Sequence, residues 1–465
     1  MAITVDQKPN STAIPIGQDV IFSISDATVL ASHVNVRFYC DIMYSSTTTA
    51  TQTKIVTLKT TPNAAGSGIF DLKRSIEAEL GADYVLDDTN NNVRFKGDLN
   101  VEGAPIHHVS QFTTSKCSSG NFSCDFYVKG STAVGEPVNV VGSVQSTGTF
   151  FVFNFKPDNN DILYVDGGLY NYKLSEMGIL QNSTTSQFLT EMPDVVSAKL
   201  TDVGTVGLLQ GMSGFLAGYT GINNILFKFF DKDGTNLGTD NLACSTAHGG
   251  QTTFPTTNSA RAFLFLGVYP ANLRQHTTIP STTSYYTFSA RSSSNVLKTK
   301  EYRVNIVEDC EYETHRLCWL NKFGTWDYYN FTVKSTKSTS ATRKFYNSSR
   351  GDWSGSKFKH THYKGGKTVY KMDSKDSITL NTEYLSEDNG IWLEGLINSS
   401  EVFLIKEGSN WDVGDAAVDH TDFRDLVEPV VITNNAITRR TLINDKLIMH
   451  TFTIEKSESN NTHRS

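Results

Sequence analysis

The chain has 465 residues, of which 38% are hydrophobic and 19% charged, and it carries a formal net charge of −7. Phosphate binding needs a basic face, so this balance gives no reason to expect nucleic acid as the main partner. Ser, Thr, Asn and 34 Gly fill the rest with turn and exposed-strand residues, and an aromatic content of 11% favours strands, so the chain is predicted to be mainly β.

A length of 465 residues predicts about three domains. Residues 1–185 are expected to form a β-sandwich-like domain. Apolar and polar residues alternate over 19–25, 34–42 and 54–59, and Thr61, Pro62 and Asn63 mark a turn. The period then changes. Asp71 is placed to cap a short helix with Leu72, Ile76 and Leu80 on one face and Gly81 at its end. Strands are predicted again over 93–101, 125–129, 137–143 and 147–155, followed by a loop-rich stretch to 185.

A second β domain is expected over 186–335, with strands at 195–200, 224–231, 261–269, 285–290 and 302–307. Residues 203–216 mix Gly with apolar residues and fit no element. The domain ends in a dense aromatic hairpin over 316–331, with turn residues at 321–324. A polar stretch over 334–341 separates the third domain, 336–465. Strands are predicted there at 358–363, 377–381, 402–406, 427–433 and 446–455. A helix is expected over 384–398, with Leu385, Ile391, Trp392 and Leu396 as its apolar residues and Gly390 as its weak point.

Motifs for chemistry are scarce. Asp231, Asp233 and Gly234 have the alternation of a calcium loop but lack the distal Glu, so a hairpin turn is the preferred reading. His360 and His362 share a strand face without a nearby acid, and His107 and His108 point to opposite faces. Gly211, Met212, Ser213 and Gly214 lack the spacing of a nucleophile elbow, and no zinc-protease, phosphate-loop or dinucleotide motif occurs. The chain is therefore expected not to be an enzyme and to use no cofactor or metal.

Six cysteines are too few for a disulfide framework, and neither Cys117 with Cys124 nor Cys310 with Cys318 has redox or zinc spacing, so free thiols are expected. No apolar run approaches the roughly 20 residues of a membrane span. Residues 1–6 lack the pattern of a secretory signal, so synthesis and folding in a cytoplasm are expected. Local basic patches at Arg439 and Arg440, and at Lys357, Lys359, Lys364 and Lys367, read as solvated strand faces and turns.

The strongest local signal is the aromatic hairpin. Its structural or interaction candidates are Trp319, Asn321, Gly324, Trp326, Asp327 and Tyr328. They suit either an aromatic platform for a sugar or protein, or a core hairpin that fixes a domain junction. The second is preferred because Trp319 and Trp326 alternate with residues of equally buried character.

The run Arg316, Leu317, Cys318, Trp319, Leu320, Asn321, then Gly324, Asp327 and Tyr328, resembles one in virion structural proteins of tailed bacteriophages, especially marine and Bacteroidetes-type phages. Residues 68–72 resemble the entry to the first domain's short helix, and 188–193 the opening of the second domain, departing at Glu191 and Met192. Residues 429–433, 444–448 and 451–455 are similar to the closing strands of such proteins.

The resemblance implies a tail-tip or baseplate component of hub or distal-tail type, without catalytic residues. It also implies a C-terminal β-barrel-like domain with a packed helix, assembling as a homo-oligomeric ring beside other tail proteins. A receptor-binding fibre or adhesin that holds host glycans is the alternative, with Trp319, Trp326 and Trp353 as its candidate aromatics.

Overall fold

A computed structural model describes residues 3–45, 51–81, 112–114, 119–158, 161–179, 183–210, 222–243, 262–274, 277–292, 294–308, 312–361, 363, 365–405, 427–434 and 449–457. The strand expected at 93–101, His107, His108, Cys117, Cys244, Cys310, His362, Lys364, Arg439, Arg440 and residues 211–214 and 444–448 lie outside them. The chain divides into two compact units. One holds Met1–Glu308, Leu320–Tyr328 and Glu407–Phe423; the other holds Asp309–Trp319, Tyr329–Lys406 and Arg424–Ser465. The boundaries expected after residues 185 and 335 fall inside the first and the second unit respectively.

In the first unit, Thr4–Gln7, Ile21–Ser25 and Ser67–Asp71 form a three-stranded sheet. A larger sheet runs Ala13–Pro15, Phe150–Phe153, Ser119–Ser131, Val34–Ser45 and Thr53–Thr60, with Asn139–Ser146 paired to Ser119–Ser131. Alternation explains the core between them. Phe22 and Ile24 from one sheet and Phe38, Ile42, Phe122 and Phe126 from the other are buried in one cluster. Phe22 lies 5.6 Å from Phe126, and Phe70 lies 5.7 Å from Phe126, ring to ring. The short helix Lys73–Glu77 closes this core with Leu72, Ile76 and Leu80, and Asp71 Oδ1 accepts the Lys73 N–H at 3.0 Å.

A five-stranded sheet of the same unit runs Val195–Ala198, Tyr302–Ile306, Tyr285–Arg291, Asn224–Phe230 and Asn236–Ala243. Between the last two strands Asp231 Oδ1 accepts N–H groups of Asp233 at 2.9 Å and Thr235 at 2.8 Å, while Gly234 adopts φ +82°. These are the features of a hairpin turn. The backbone N–H of Thr235 leads the groups that hold the Asp231 carboxyl below its usual range. Thr205–Gln210, within the stretch that fitted no element, is a strand because Ala262–Gly267 pairs with it residue for residue.

The second unit corrects the expected fold. A seven-stranded sheet, most of whose residues lie in this unit, runs Trp326–Phe331, His315–Leu320, Val402–Ile405, Val427–Ile432, Thr451–Lys456, Gly366–Asn381 and Thr336–Ser348. Different strands stand at its two ends, and no barrel closes among the described residues. The tandem-sandwich and C-terminal barrel expectation gives way to several open sheets with short helices. The physical reason lies in Thr336–Ser348, whose side chains are exposed on both faces, so it has no inward apolar row with which to close a cylinder. The polar stretch read as a separator is the start of this strand.

The helix Glu387–Asn398 begins at Ser386, whose Oγ accepts the Asn389 N–H at 3.4 Å, and carries Glu387 and Asp388 in its first turn. Trp392, Leu393 and Leu396 are buried, whereas Ile391 is 45% exposed, because adjacent helix positions point about 100° apart.

Candidate functional site

The six residues singled out from the sequence all lie in or between the strands His315–Leu320 and Trp326–Phe331, and all are buried. Asn321 organises the turn. Its Oδ1 accepts the Phe323 and Thr325 N–H groups at 3.0 and 3.1 Å, and its Nδ2 donates to Leu189 O at 3.3 Å. Gly324 sits at φ +75°, and a Cβ there would meet Asn154 O at 2.0 Å, so only glycine fits.

Beside the turn, Phe323 stacks on Phe155 at 5.1 Å. The buried Asp327 carboxylate accepts the Thr190 hydroxyl and the Glu191 N–H, the latter at 3.3 Å. Tyr328 packs its ring 5.4 Å from that of Tyr269. All these tip residues belong to the first unit.

The outer residues of the hairpin belong to the second unit. Trp319 and Trp392 lie 5.3 Å apart, Tyr329 meets Trp392 edge-on at 5.8 Å, and Phe331 meets Phe452 at 5.7 Å. Arg316 donates from Nη1 to Asn330 Oδ1 at 2.8 Å. Burial, then the Glu383 carboxylate, pushes the Tyr329 hydroxyl up. With Trp319 at 0% and Trp326 at 1% exposure, neither ring offers a face to a sugar.

Titratable groups near the hairpin form a structural network. Lys322 bonds Asp161 at 3.2 Å and Glu191 at 3.0 Å. Burial raises the Glu191 carboxyl, and its one lysine only partly offsets that dehydration. Lys322 is lowered by burial but raised more by its two carboxylates, and so ends above its ordinary value. Cys124 and Cys318 are poorly suited to nucleophilic chemistry. The Cys124 thiol is pushed up by its hydrogen bond with Cys40 and by burial, and Cys318 by burial.

Exposed aromatics gather elsewhere. Trp353 is 77% exposed, Tyr363 85% and Phe358 64%, in or beside the small hairpin Gly351–Ser354 and Lys357–His360. That hairpin lies between the two strands of the long ribbon Thr336–Ser348 and Gly366–Asn381 in the chain. Sequence reasoning found only residues 377–381 of this ribbon. Its signal was strand-favouring Thr336, Thr339, Thr342 and Tyr346 on one side and Val369 and Tyr370 on the other, flanking a Gly-rich middle.

No protein-family model matches the chain, and no curated protein sequence does. Among solved structures, native E. coli alpha-2-macroglobulin aligns at 7% identity with a TM-score of 0.18, over 82% of this chain and 21% of that one. Trypsin-activated E. coli alpha-2-macroglobulin aligns at 7% identity and 0.17, over 81% of this chain and 23% of that one. A variant of Salmonella alpha-2-macroglobulin aligns at 7% identity and 0.19, over 97% of this chain and 31% of that one. This chain thus spans only 21% to 31% of the length of those proteins, and alignments of such low TM-score carry no argument about its fold or function.

Proposed function

We propose that this chain is a non-enzymatic structural component of a tailed-phage virion, part of the tail tip or baseplate. It assembles in the host cytoplasm with copies of itself and with neighbouring tail proteins. The sequence resemblance around Arg316–Tyr328 suggests the setting. The observation that carries the self-assembly part is the ribbon Thr336–Ser348, whose residues are exposed on both faces. It is also the end strand of its sheet, and an open edge of this kind is where a neighbour can add its own strand.

Electron microscopy with size analysis of the purified full-length protein tests this reading. Discrete rings of defined symmetry are expected. A protein that stays monomeric at every concentration overturns it.

A second reading, recognition of host-surface glycans, is favoured by one observation. Trp353 stands directly opposite Phe358, and both are largely exposed, as stacking on a sugar ring requires. A monomer or trimer that retains host glycans, and loses them on Trp353→Ala, would move the weight to this reading.

A further inference from the structure

The ribbon has a charge and a chemistry unlike the rest of the chain. Residues 336–376 hold ten Lys or Arg against three Asp, a net +7, so the remainder of a chain totalling −7 carries −14. From the pair Thr339 with Asp376 outward to Ser348 with Gly366, the two strands pair only with each other among the described residues. That length is about 30 Å. A two-stranded ribbon of this kind is marginal in water by itself.

Local details sharpen the point. Lys344 stands directly across the ladder from Lys371, a like-charge pair that weakens the ribbon. Arg343, Lys344, Arg350, Lys357 and Lys359 have no carboxylate partner among the described residues, whereas Lys337 and Lys375 nearer the sheet pair with Glu313 and Glu455, each at 2.7 Å. Exposed rings lie among these cations. Phe345 is 45% exposed with Lys367 Nζ 4.0 Å from its centroid, and Tyr346 is 50% exposed beside Tyr370.

The complementary chemistry occurs in the same unit. Residues 382–405 hold five Asp or Glu and no Lys or Arg. Glu387, Asp388, Ile391 and Glu394 follow the three-to-four spacing of one helix side, with Ile391 45% exposed, and Tyr384, two residues before the cap Ser386, is 71% exposed. A helix dipole accounts for the acids of the first turn but not for the exposed side chains of Tyr384 and Ile391 that flank them.

We infer that the basic, aromatic ribbon of one copy docks on the acidic and apolar side of the helix Glu387–Asn398 in a second copy of this chain. This rests on the self-assembly reading and names its contact. A polyanion such as nucleic acid would satisfy the lysines, but the −14 carried by the rest of the chain repels it. A second copy supplies both carboxylates and apolar contacts. Ribbon on helix joins two different surfaces, the kind of contact that builds a ring where its rotation closes and a filament where it does not.

The test uses full-length protein in sedimentation velocity at low and high salt. Three proteins are compared: wild type, the triple variant Lys344→Glu, Lys357→Glu, Lys359→Glu, and the double variant Glu387→Lys, Asp388→Lys. Wild type should associate and loosen as salt rises, and each variant alone should weaken association at least about tenfold. Mixing the two variants should restore it, because each reversed surface then meets its complement. The triple variant changes exposed side chains, so an unchanged Tm is expected to accompany its loss, whereas the double variant reverses two first-turn charges and should also lower Tm slightly.

Association of the variants at wild-type strength, or no rescue on mixing, overturns this contact and leaves self-assembly standing. A wild type that is monomeric at every salt concentration overturns both. Binding of a 20-nucleotide single strand to a monomer, lost in the triple variant, overturns the inference in favour of a polyanion.

Discussion

The aromatic hairpin over residues 315–331 and the ribbon of Thr336–Ser348 with Gly366–Asn381 lie close together in the chain, yet opposite means hold them. In the first, side chains on both faces are buried and even the turn is anchored, by Asn321 and by the close approach of Gly324 to Asn154. In the second, neither face of Thr336–Ser348 is covered, and cross-strand contacts such as Thr339 with Asp376 at 2.6 Å do most of the holding. Burial makes the first hairpin intolerant of change and chemically quiet. Exposure leaves the second free to vary without loss of fold, and available to a partner.

The largest expected effect tests the buried side of this contrast. Trp319→Ala empties a fully buried site against Trp392 and should cost about 3–5 kcal/mol in chemical denaturation. A cost below 1 kcal/mol would mean the site collapses easily or is not packed as described. Gly324→Ala forces a Cβ toward Asn154 O at a positive φ and should cost about 3 kcal/mol, read as a lowered urea midpoint. Asn321→Ala leaves the Phe323 and Thr325 N–H groups without their acceptor and should cost about 2 kcal/mol.

Smaller effects follow from charge. Lys322 is held above its ordinary value in the folded chain, so its stabilisation is full below that value and is lost as the pH rises through the higher folded one. Lys322→Met should flatten the alkaline arm of the stability profile. Glu191, also raised, runs the other way: stability falls as the pH climbs from the ordinary carboxyl range to its raised value. Glu191→Gln should remove that slope, which a series of urea titrations from pH 4 to 7 would read. The smallest effect belongs to the small hairpin between the ribbon strands, where Trp353→Ala should stay within about 0.5 kcal/mol of wild type. A larger loss would show that the small hairpin is supported by burial after all.

Legibility followed the same divide. Strands with one buried face were plain in the sequence: 21–25, 34–45 and 224–230 alternate because one face meets a core. The short helix after Asp71 was equally clear from Leu72, Ile76 and Leu80. The hairpin at 315–331 stood out through its turn residues and aromatics, though not which neighbours its rings would meet. The ribbon was misread because Thr, Ser and Lys at successive positions carry no alternation when neither face is buried, so the stretch looked like a linker. The expected barrel failed for the same reason, since strand count and hydropathy do not tell whether the last strand returns to the first.

What the sequence determined by itself was the β-rich class, many strand positions and the aromatic hairpin, because these depend on local propensity and period. Only the tertiary structure decided which strands neighbour each other, that the sheets stay open, that Trp319 and Trp326 are hidden while Trp353 is exposed, and that a basic ribbon runs on beyond its sheet. Those outcomes depend on contacts between residues far apart in the chain, where no local pattern records which partner wins.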